Sequence, residues 1–444
     1  MIKEKKFYIA LFWLVIPMIF QDLLKHGLNL ADNIMIGMLS EIELSAVNLA
    51  NQPFFLFSIM IFGLVSGSAV LIAQYYGKNN FTAINKIISI TVTLALIFTL
   101  IWTYIILAFP EYIMRIFIDD SEIIANGVRY LKIIGWTYLL YGINSTLILI
   151  LRNLRIIKFT LLINTIAFFI NIILDWGFIF GNLNLPQLRV EGAAIATLIA
   201  RIFETAAIIF YANHCDKRIK IKLTLNPDKI LLKDFFNCGF PVFINESIWA
   251  IGVVIYSIVL TKLGTQTIVA ANITSTLEQF FSIIIFPIAH ATCIIIGNEI
   301  GHGDEKYAKQ CARTLFIIAI IFGFILGLAL FLSRVPIVNF YNIELATKFL
   351  TLQFIDVTSI LIFIDSIGII TVVGILRGGG DTKFAMYIDI LSVWLVSLPA
   401  GILALFCHLP TLIIFIALRM DIIVRTLFCI LRLRNDNWIK NVTR

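Results

Sequence analysis

The chain has 444 residues, of which 60% are hydrophobic and 14% are charged, and its formal net charge is +7. A soluble chain usually carries about 25% charged residues, so this composition, with a mean hydropathy of +0.97, excludes a soluble enzyme or a nucleic-acid-binding protein. Apolar runs long enough to cross a bilayer occur from one end of the chain to the other. The sequence therefore predicts an all-α, multi-pass protein whose surroundings are a lipid bilayer.

Charge clusters, prolines and glycines divide the chain into candidate spans of the length that a membrane helix requires, about 20 residues or more. The twelve predicted spans are 7–38, 44–74, 84–109, 123–150, 156–181, 192–212, 230–261, 268–299, 306–332, 344–375, 384–407 and 410–431. Loops on the side of both termini contain most of the lysines and arginines. Because basic loops stay in the cytoplasm, the pattern predicts a cytoplasmic (inner) membrane protein with both termini inside.

The first span carries a polar stripe on one helical face. Ionisable side chains inside a membrane helix cost about 2.5 to 3.5 kcal/mol each, so they face protein or water. The stripe consists of Asp22, Lys25, His26, Asn29, Asp32 and Asn33. We expect it to line a wet cavity, and Pro17 before it predicts a kink or hinge. The alternative is a structural network in which the two aspartates neutralise Lys25.

The fifth span repeats this pattern with Asn164, Asn171 and Asp175, and no basic residue within that helix neutralises the acid. A carboxyl group away from bulk water can exchange a proton. Together with Asp32, and with amide oxygens as further ligands, Asp175 could instead bind Na⁺. The sequence does not distinguish proton exchange from Na⁺ binding. In the sixth span, the spacing of Arg201 and Glu204 favours a structural ion pair.

The second half carries acids inside four predicted spans and, by this interpretation, no lysine or arginine at the same depth. These acids are Glu246, Glu278, Asp356, Asp365 and Asp389. They predict an acidic chamber for protons, metal cations or organic cations; the alternative is that several are hydrogen-bonded core acids. Trp249 and Tyr256 lie near them and could receive an organic cation. With Asp22, Asn29 and Asn33, these residues are the candidates for the substrate cavity.

The two halves of the chain are repeats of each other. A constant shift of 224 positions pairs Pro17 with Pro241, Asn48 with Asn272 and Gly77 with Gly301. Six spans per half give both halves the same orientation, which predicts parallel six-helix lobes related by a two-fold axis along the membrane normal. Such repeats are typical of secondary transporters. The predicted domains are an N-terminal lobe (1–212), a cytoplasmic linker (213–233) and a C-terminal lobe (234–444).

Three segments of the sequence resemble motifs of the multidrug and toxic compound extrusion (MATE) family. The similarity covers almost the whole chain. The segments are residues 30–37, which include Asp32; residues 171–175 together with 192–197; and residues 376–383, with the glycine-rich sequence before Asp381. The pattern is most similar to the branch named after the DNA-damage-inducible protein F. The resemblance implies two six-helix lobes around a V-shaped cavity, and exchange of an inward H⁺ or Na⁺ for an outward, usually cationic, amphipathic compound.

Matched by position, the resemblance makes Asp32 the carboxylate that takes the coupling ion, with Asn171, Asp175 and Thr197 as its neighbours and Pro17 as the bend point. In the branch described as Na⁺-coupled through its second lobe, an acid follows about one turn after the position of Glu246. Here Trp249 stands near that place. The implied protein is a monomeric antiporter for small molecules that needs no cofactor besides the coupling ion, and H⁺ is favoured over Na⁺.

Two other functions remain as alternatives. A flippase for a lipid-linked sugar has a related fold, but the resemblance suggests fourteen spans and more basic cavities for that class. An intramembrane enzyme that modifies lipids would need clustered histidine and carboxylate ligands or a nucleophile. The histidines have no metal spacing, and no Ser/His/Asp or Cys/His grouping is present. The sequence therefore favours a transporter over an enzyme.

Overall fold

The computed structural model describes residues 2–215, 223–224 and 226–443, and this part of the chain is helical without any β-strand. Of the predicted linker 213–233, residues 216–222 and 225 lie outside the described residues. Eleven of the described helices are long and apolar enough to span a membrane. They are α1 (Lys5–Gly37), α2 (Glu41–Gly77), α3 (Phe81–Ala108), α4 (Ser121–Asn153), α5 (Ile157–Phe180), α6 (Arg189–His214), α7 (Lys229–Thr261), α8 (Thr265–His302), α9 (Glu305–Phe340), α10 (Leu345–Leu376) and α11 (Thr382–Phe406).

The predicted twelfth span at 410–431 is helical, but it is interrupted once. This segment forms two shorter helices, α12 (Thr411–Leu418) and α13 (Met420–Arg434), which meet at Arg419. The guanidinium of Arg419 donates a 2.8 Å hydrogen bond to Glu278 of α8. A charged group at this depth needs such a partner, and hydropathy alone does not register the break that accompanies it.

Short polar side chains start several helices by accepting hydrogen bonds from the first free backbone N–H groups. Ser40 caps α2 through the N–H of Glu43, and Asn80 caps α3 through that of Ala83. Asp120 does the same for α4 with two backbone groups. These caps fix where the connections between apolar runs end.

The helices form two compact units. Unit 1 contains Met1–Val15, Ala73–Asn79 and Asn237–Arg444, and unit 2 contains Ile16–Ile72 and Asn80–Phe236. Helix α1 contributes to both, and the division lies just before Pro17, which is inside that helix. In unit 1, the backbone N–H of Ile2 donates to the Thr314 hydroxyl at 2.9 Å. The predicted hinge at Pro17 remains a prediction.

The ends of α2 and α8 touch in unit 1 without intervening side chains. A Cβ on Gly77 would lie 2.0 Å from the backbone oxygen of Asn298, and one on Gly301 would lie 1.9 Å from that of Gln74. The shift of 224 positions turns one contact into the other, since Gly77 maps onto Gly301 and Gln74 onto Asn298. Reciprocal contacts of this kind are what a two-fold relation produces, and they agree with the repeat in the sequence.

We expect Gly77→Ala and Gly301→Ala each to force the two helices apart, because the obstructing atoms are backbone. Overpacking of this kind costs roughly 1 to 3 kcal/mol, so the melting temperature of the purified protein should fall. Gly27→Ala is the matched control, since its Cβ would meet only one side-chain carbon at an ordinary 3.7 Å. Equal melting temperatures for all three variants would contradict the close approach.

Candidate functional site

The centre of unit 2 holds two carboxyl groups in contact. The carboxyl groups of Asp32 of α1 and Asp175 of α5 lie close enough to interact directly with each other. Asp175 is fully buried, and Asp32 is half-buried. Only a protonated carboxyl group can donate a hydrogen bond to a second one, so this contact is suited to hold a proton between two oxygen-bearing groups. The structure thus brings together two acids that are far apart in the sequence.

Helix α6 supplies further polar groups to this centre. The buried amide of Asn171 donates a 3.3 Å hydrogen bond to the Thr197 hydroxyl. One turn beyond Thr197, Arg201 pairs with Glu204 at 2.7 Å, as the sequence predicts. The positive charge of Arg201 also acts on the carboxyl group of Asp32.

Two tyrosines of α4 lie in this region, Tyr130 near the carboxyl pair and Tyr141 near Lys25, and the sequence analysis missed them. Tyr130 is buried near both aspartates, whose charges act on its hydroxyl group. This hydroxyl donates a hydrogen bond to Asn51 at 3.4 Å. Tyr141 receives a 3.2 Å hydrogen bond from the ammonium of Lys25. In a chain with many aromatic residues, neither tyrosine stands out, because α4 shows no polar stripe that would mark one face.

The rest of the polar stripe on α1 differs in part from the prediction. Asp22 pairs with Arg152 of α4 at 3.5 Å, and Lys25 contacts Tyr141 rather than an aspartate. The structural network in which Asp22 and Asp32 neutralise Lys25 is therefore absent among the described residues. Both asparagines of the stripe, Asn29 and Asn33, are exposed. The partners of these side chains lie on other helices. The spacing of polar residues within α1 therefore cannot predict the pairs.

The acidic chamber predicted in the second half is wrong, because each of its five acids contacts an arginine. The pairs are Glu246 with Arg377 at 2.6 Å, Glu278 with Arg419 at 2.8 Å, Asp356 with Arg334 at 2.9 Å, and both Asp365 and Asp389 with Arg425. The arginines come from the ends of α9 and α10, from the break between α12 and α13, and from α13. They reach the acids through tertiary packing, which the analysis of separate spans did not include.

The pair of Glu246 and Arg377 is the most deeply placed of these. The sequence analysis assigned Arg377 to a loop, but its side chain is only 3% exposed and its partner is on α7. Asp389 of α11 also accepts a 2.8 Å hydrogen bond from Asn245, the residue before Glu246. Trp249 and Tyr256 on the same helix are half-buried. Whether these residues contact a substrate remains a prediction.

The carboxyl pair in unit 2 is the arrangement best suited to exchange an ion. Such a pair can take up and release protons, and Asn171 and Thr197, which are hydrogen-bonded to each other, add an amide and a hydroxyl group on α5 and α6. Among the described residues, no group of three or more His, Cys, Asp and Glu side chains forms a metal cluster. A site of two carboxyl groups with amide and hydroxyl oxygens suits a proton or an alkali cation better than a transition metal.

Comparisons with known proteins agree with this architecture. The MatE family model matches residues 17–176 and 241–423. A relative named "Probable multidrug resistance protein NorM" from Thermotoga maritima is 26% identical over 96% of this chain and 92% of its own length. "Multidrug resistance protein MdtK" from Pectobacterium atrosepticum is 23% identical over 88% of this chain and 86% of its own length.

A crystal structure of a MATE protein in the bent conformation has the same fold. Its TM-score is 0.87, at 18% identity, over 96% of this chain and 95% of that one. The two segments that match the family model contain both aspartates of the carboxyl pair as well as the second-half acids. The chain therefore belongs to the MatE family, whose members are multi-pass membrane transporters and not enzymes, as the sequence predicts.

Proposed function

We propose that this protein exports amphipathic, cationic small molecules across the cytoplasmic (inner) membrane in exchange for H⁺, by alternating access. The observation that carries the proposal is the contact between the carboxyl groups of Asp32 and Asp175 inside unit 2, where Asp175 is fully buried. Relatives whose names describe multidrug resistance support a substrate class of small organic compounds. The bacterial origin of these relatives supports the inner membrane, and the basic loops support cytoplasmic termini.

In the proposed cycle, the carboxyl pair couples substrate export to ion uptake. With one proton the pair carries one negative charge, which attracts a cationic substrate to this part of the protein. Uptake of a second proton removes that charge and weakens the hydrogen bond between the two groups, since neither partner is then ionised. The substrate then binds less tightly, and the state in which it is released outside is favoured.

One proton alone does not drive a complete change of state. Shifting a two-state balance from 1:99 to 99:1 takes about 5.5 kcal/mol of differential binding. The substrate must therefore contribute to the change, or the two states must be more evenly populated. Arg201, which is paired with Glu204, keeps a positive charge beside Asp32 throughout. Because Arg201 and Glu204 neutralise each other, protonation of the pair leaves no net negative charge among these four groups to retain a cation.

Two features support H⁺ rather than Na⁺ as the coupling ion. Asp32 and Asp175 lie close enough for one proton to be shared and exchanged between them. In the second half, the carboxylate of Glu246 is engaged with Arg377, whose guanidinium supplies the positive charge that a bound sodium ion would otherwise bring. We therefore place coupling in the first half of the chain, as in the branch that the sequence most resembles.

Efflux from proteoliposomes tests the coupling ion. With a fluorescent organic cation inside, we expect efflux when only a pH gradient is imposed and none above the leak rate when only a Na⁺ gradient is imposed. Empty liposomes give the leak rate for each gradient. Efflux driven by Na⁺ alone would overturn proton coupling, and the absence of efflux under both gradients would overturn the proposed antiport.

A further inference from the structure

The last residues of the chain lie across the turn between α10 and α11. The backbone N–H of Lys440 donates a 2.7 Å hydrogen bond to the oxygen of Gly379, and the Trp438 side chain, 2% exposed, packs on the same glycine. Asp381, also buried, accepts hydrogen bonds from Lys440 and from Arg432 of α13. Residues 438–442 are thus anchored to the second half of the chain by backbone, aromatic and charged contacts.

The turn is shaped to receive this segment. Gly380 has a φ of +84°, in the left-handed region that favours glycine. A Cβ there would lie 2.6 Å from the backbone oxygen of Lys440, and one on Gly379 would lie 2.6 Å from Trp438. The glycine-rich sequence that resembles a phosphate-binding loop only in composition therefore has a structural use. Its missing side chains leave room for the C-terminal segment.

The Gln74 side chain of α2 connects the turn and the C-terminal segment to the first repeat. The Gln74 amide nitrogen donates to the backbone oxygens of Gly378 at 3.2 Å and Lys440 at 3.1 Å, and its oxygen accepts from the N–H of Val442 at 2.8 Å. Gln74 is fully buried. It is also the residue whose backbone oxygen meets Gly301, so it takes part in the reciprocal contact between α2 and α8.

We propose that residues 438–442 act as a latch, anchored to the turn between α10 and α11, that holds the ends of α2 and α8 together through Gln74. This inference rests on the proposed alternating access, in which the two ends must separate once per cycle. Their contact includes two close backbone approaches, and the hydrogen bonds of Gln74 hold the α2 side of this contact in place. Gln74 is a positioning residue here, because it acts through the helix ends and touches no substrate.

Distances between spin labels on α2 and α8 test the latch. Lys78→Cys and His302→Cys place labels on two exposed positions that the shift of 224 residues relates, directly after Gly77 and Gly301. The exposed native cysteines are removed as Cys215→Ser and Cys407→Ser. In nanodiscs, this labelled protein should show a short distance for the closed contact and a minor longer one for the separated ends.

Gln74→Leu keeps the approximate size of the side chain and removes its three hydrogen bonds. At about 0.5 to 1.5 kcal/mol for each bond, we expect the ratio of separated to closed protein to rise at least about tenfold. Gln52→Leu, the same change at an exposed position near the other end of α2, should leave the ratio unchanged. An unaltered distance distribution in Gln74→Leu would overturn the latch.

Ending the chain at Asn435 gives an independent route to the same state, since it leaves the α2 sequence intact. We expect a similar rise in the separated fraction, and adding Gln74→Leu to the shortened chain should produce little further change because both remove one interaction. Effects that simply add would contradict the latch. These distances do not depend on transport, so a failure of proton coupling leaves this test unaffected.

Discussion

Asp32→Asn should abolish gradient-driven efflux while the protein continues to bind its substrate. Asparagine has nearly the shape of aspartate and can still hydrogen-bond to Asp175, but it cannot take up or release a proton. The substrate can then occupy its site without being exchanged for an ion. We expect efflux under a pH gradient to fall at least about tenfold, a loss of about 1.4 kcal/mol or more in coupling, with a substrate dissociation constant within a few-fold of wild type.

The control for this experiment is Asp119→Asn, the same change at an exposed position outside the described spanning helices. It should transport at the wild-type rate. Asp175→Asn should behave as Asp32→Asn does, because the two groups share one proton. If Asp32→Asn exports substrate normally under a pH gradient, the carboxyl pair does not couple transport to protons.

Glu246→Gln should destabilise the protein, because it leaves the buried guanidinium of Arg377 without a carboxylate. Removing one partner of a buried ion pair costs about 3 to 5 kcal/mol. Two nitrogens of Arg377, Nε and Nη1, already have no hydrogen-bond partner within the described structure. We expect a melting temperature several degrees below wild type in nanodiscs, and recovery of most of the loss in the double variant Glu246→Gln/Arg377→Met.

Glu111→Gln is the matched control, since Glu111 pairs with Arg115 at 2.8 Å on the surface, where both side chains are more than half exposed. A surface pair of this kind contributes about 0 to 1 kcal/mol, so the melting temperature should hardly change. A stable Glu246→Gln protein that has lost substrate binding would instead make Glu246 part of the substrate cavity, as the sequence analysis proposed.

Helical periodicity predicts which side chains share a face of one helix. It is informative for contacts that depend only on this shared face. Asp32, Asn171 and Asp175 were identified from their spacing on α1 and α5, and the structure places Asp32 against Asp175. The pairing of Arg201 with Glu204 was predicted because both partners lie on one helix, three residues apart. The repeat likewise predicted a two-fold relation, and reciprocal contacts at Gly77 and Gly301 accompany it.

Spacing within one helix cannot predict partners from another. Arg377 looked like part of a loop because it follows an apolar run and precedes three glycines, yet α10 carries it into the interior beside Glu246. Arg425 lies within an apolar span, and only tertiary packing brings it to Asp365 and Asp389. The C-terminal segment gives no periodic signal at all, since its contacts use backbone groups and the space left by glycines.

Proton release on substrate binding tests the central claim that the carboxyl pair exchanges its proton for the exported cation. Purified protein in a weakly buffered, Na⁺-free solution is mixed with a saturating organic cation, and the pH change is compared with that of a strongly buffered sample. Wild-type protein that starts with both carboxyl groups protonated should release protons, up to about one for each bound cation, and Asp32→Asn should bind the cation without releasing any. Binding to wild-type protein with no proton release would contradict the proposed exchange.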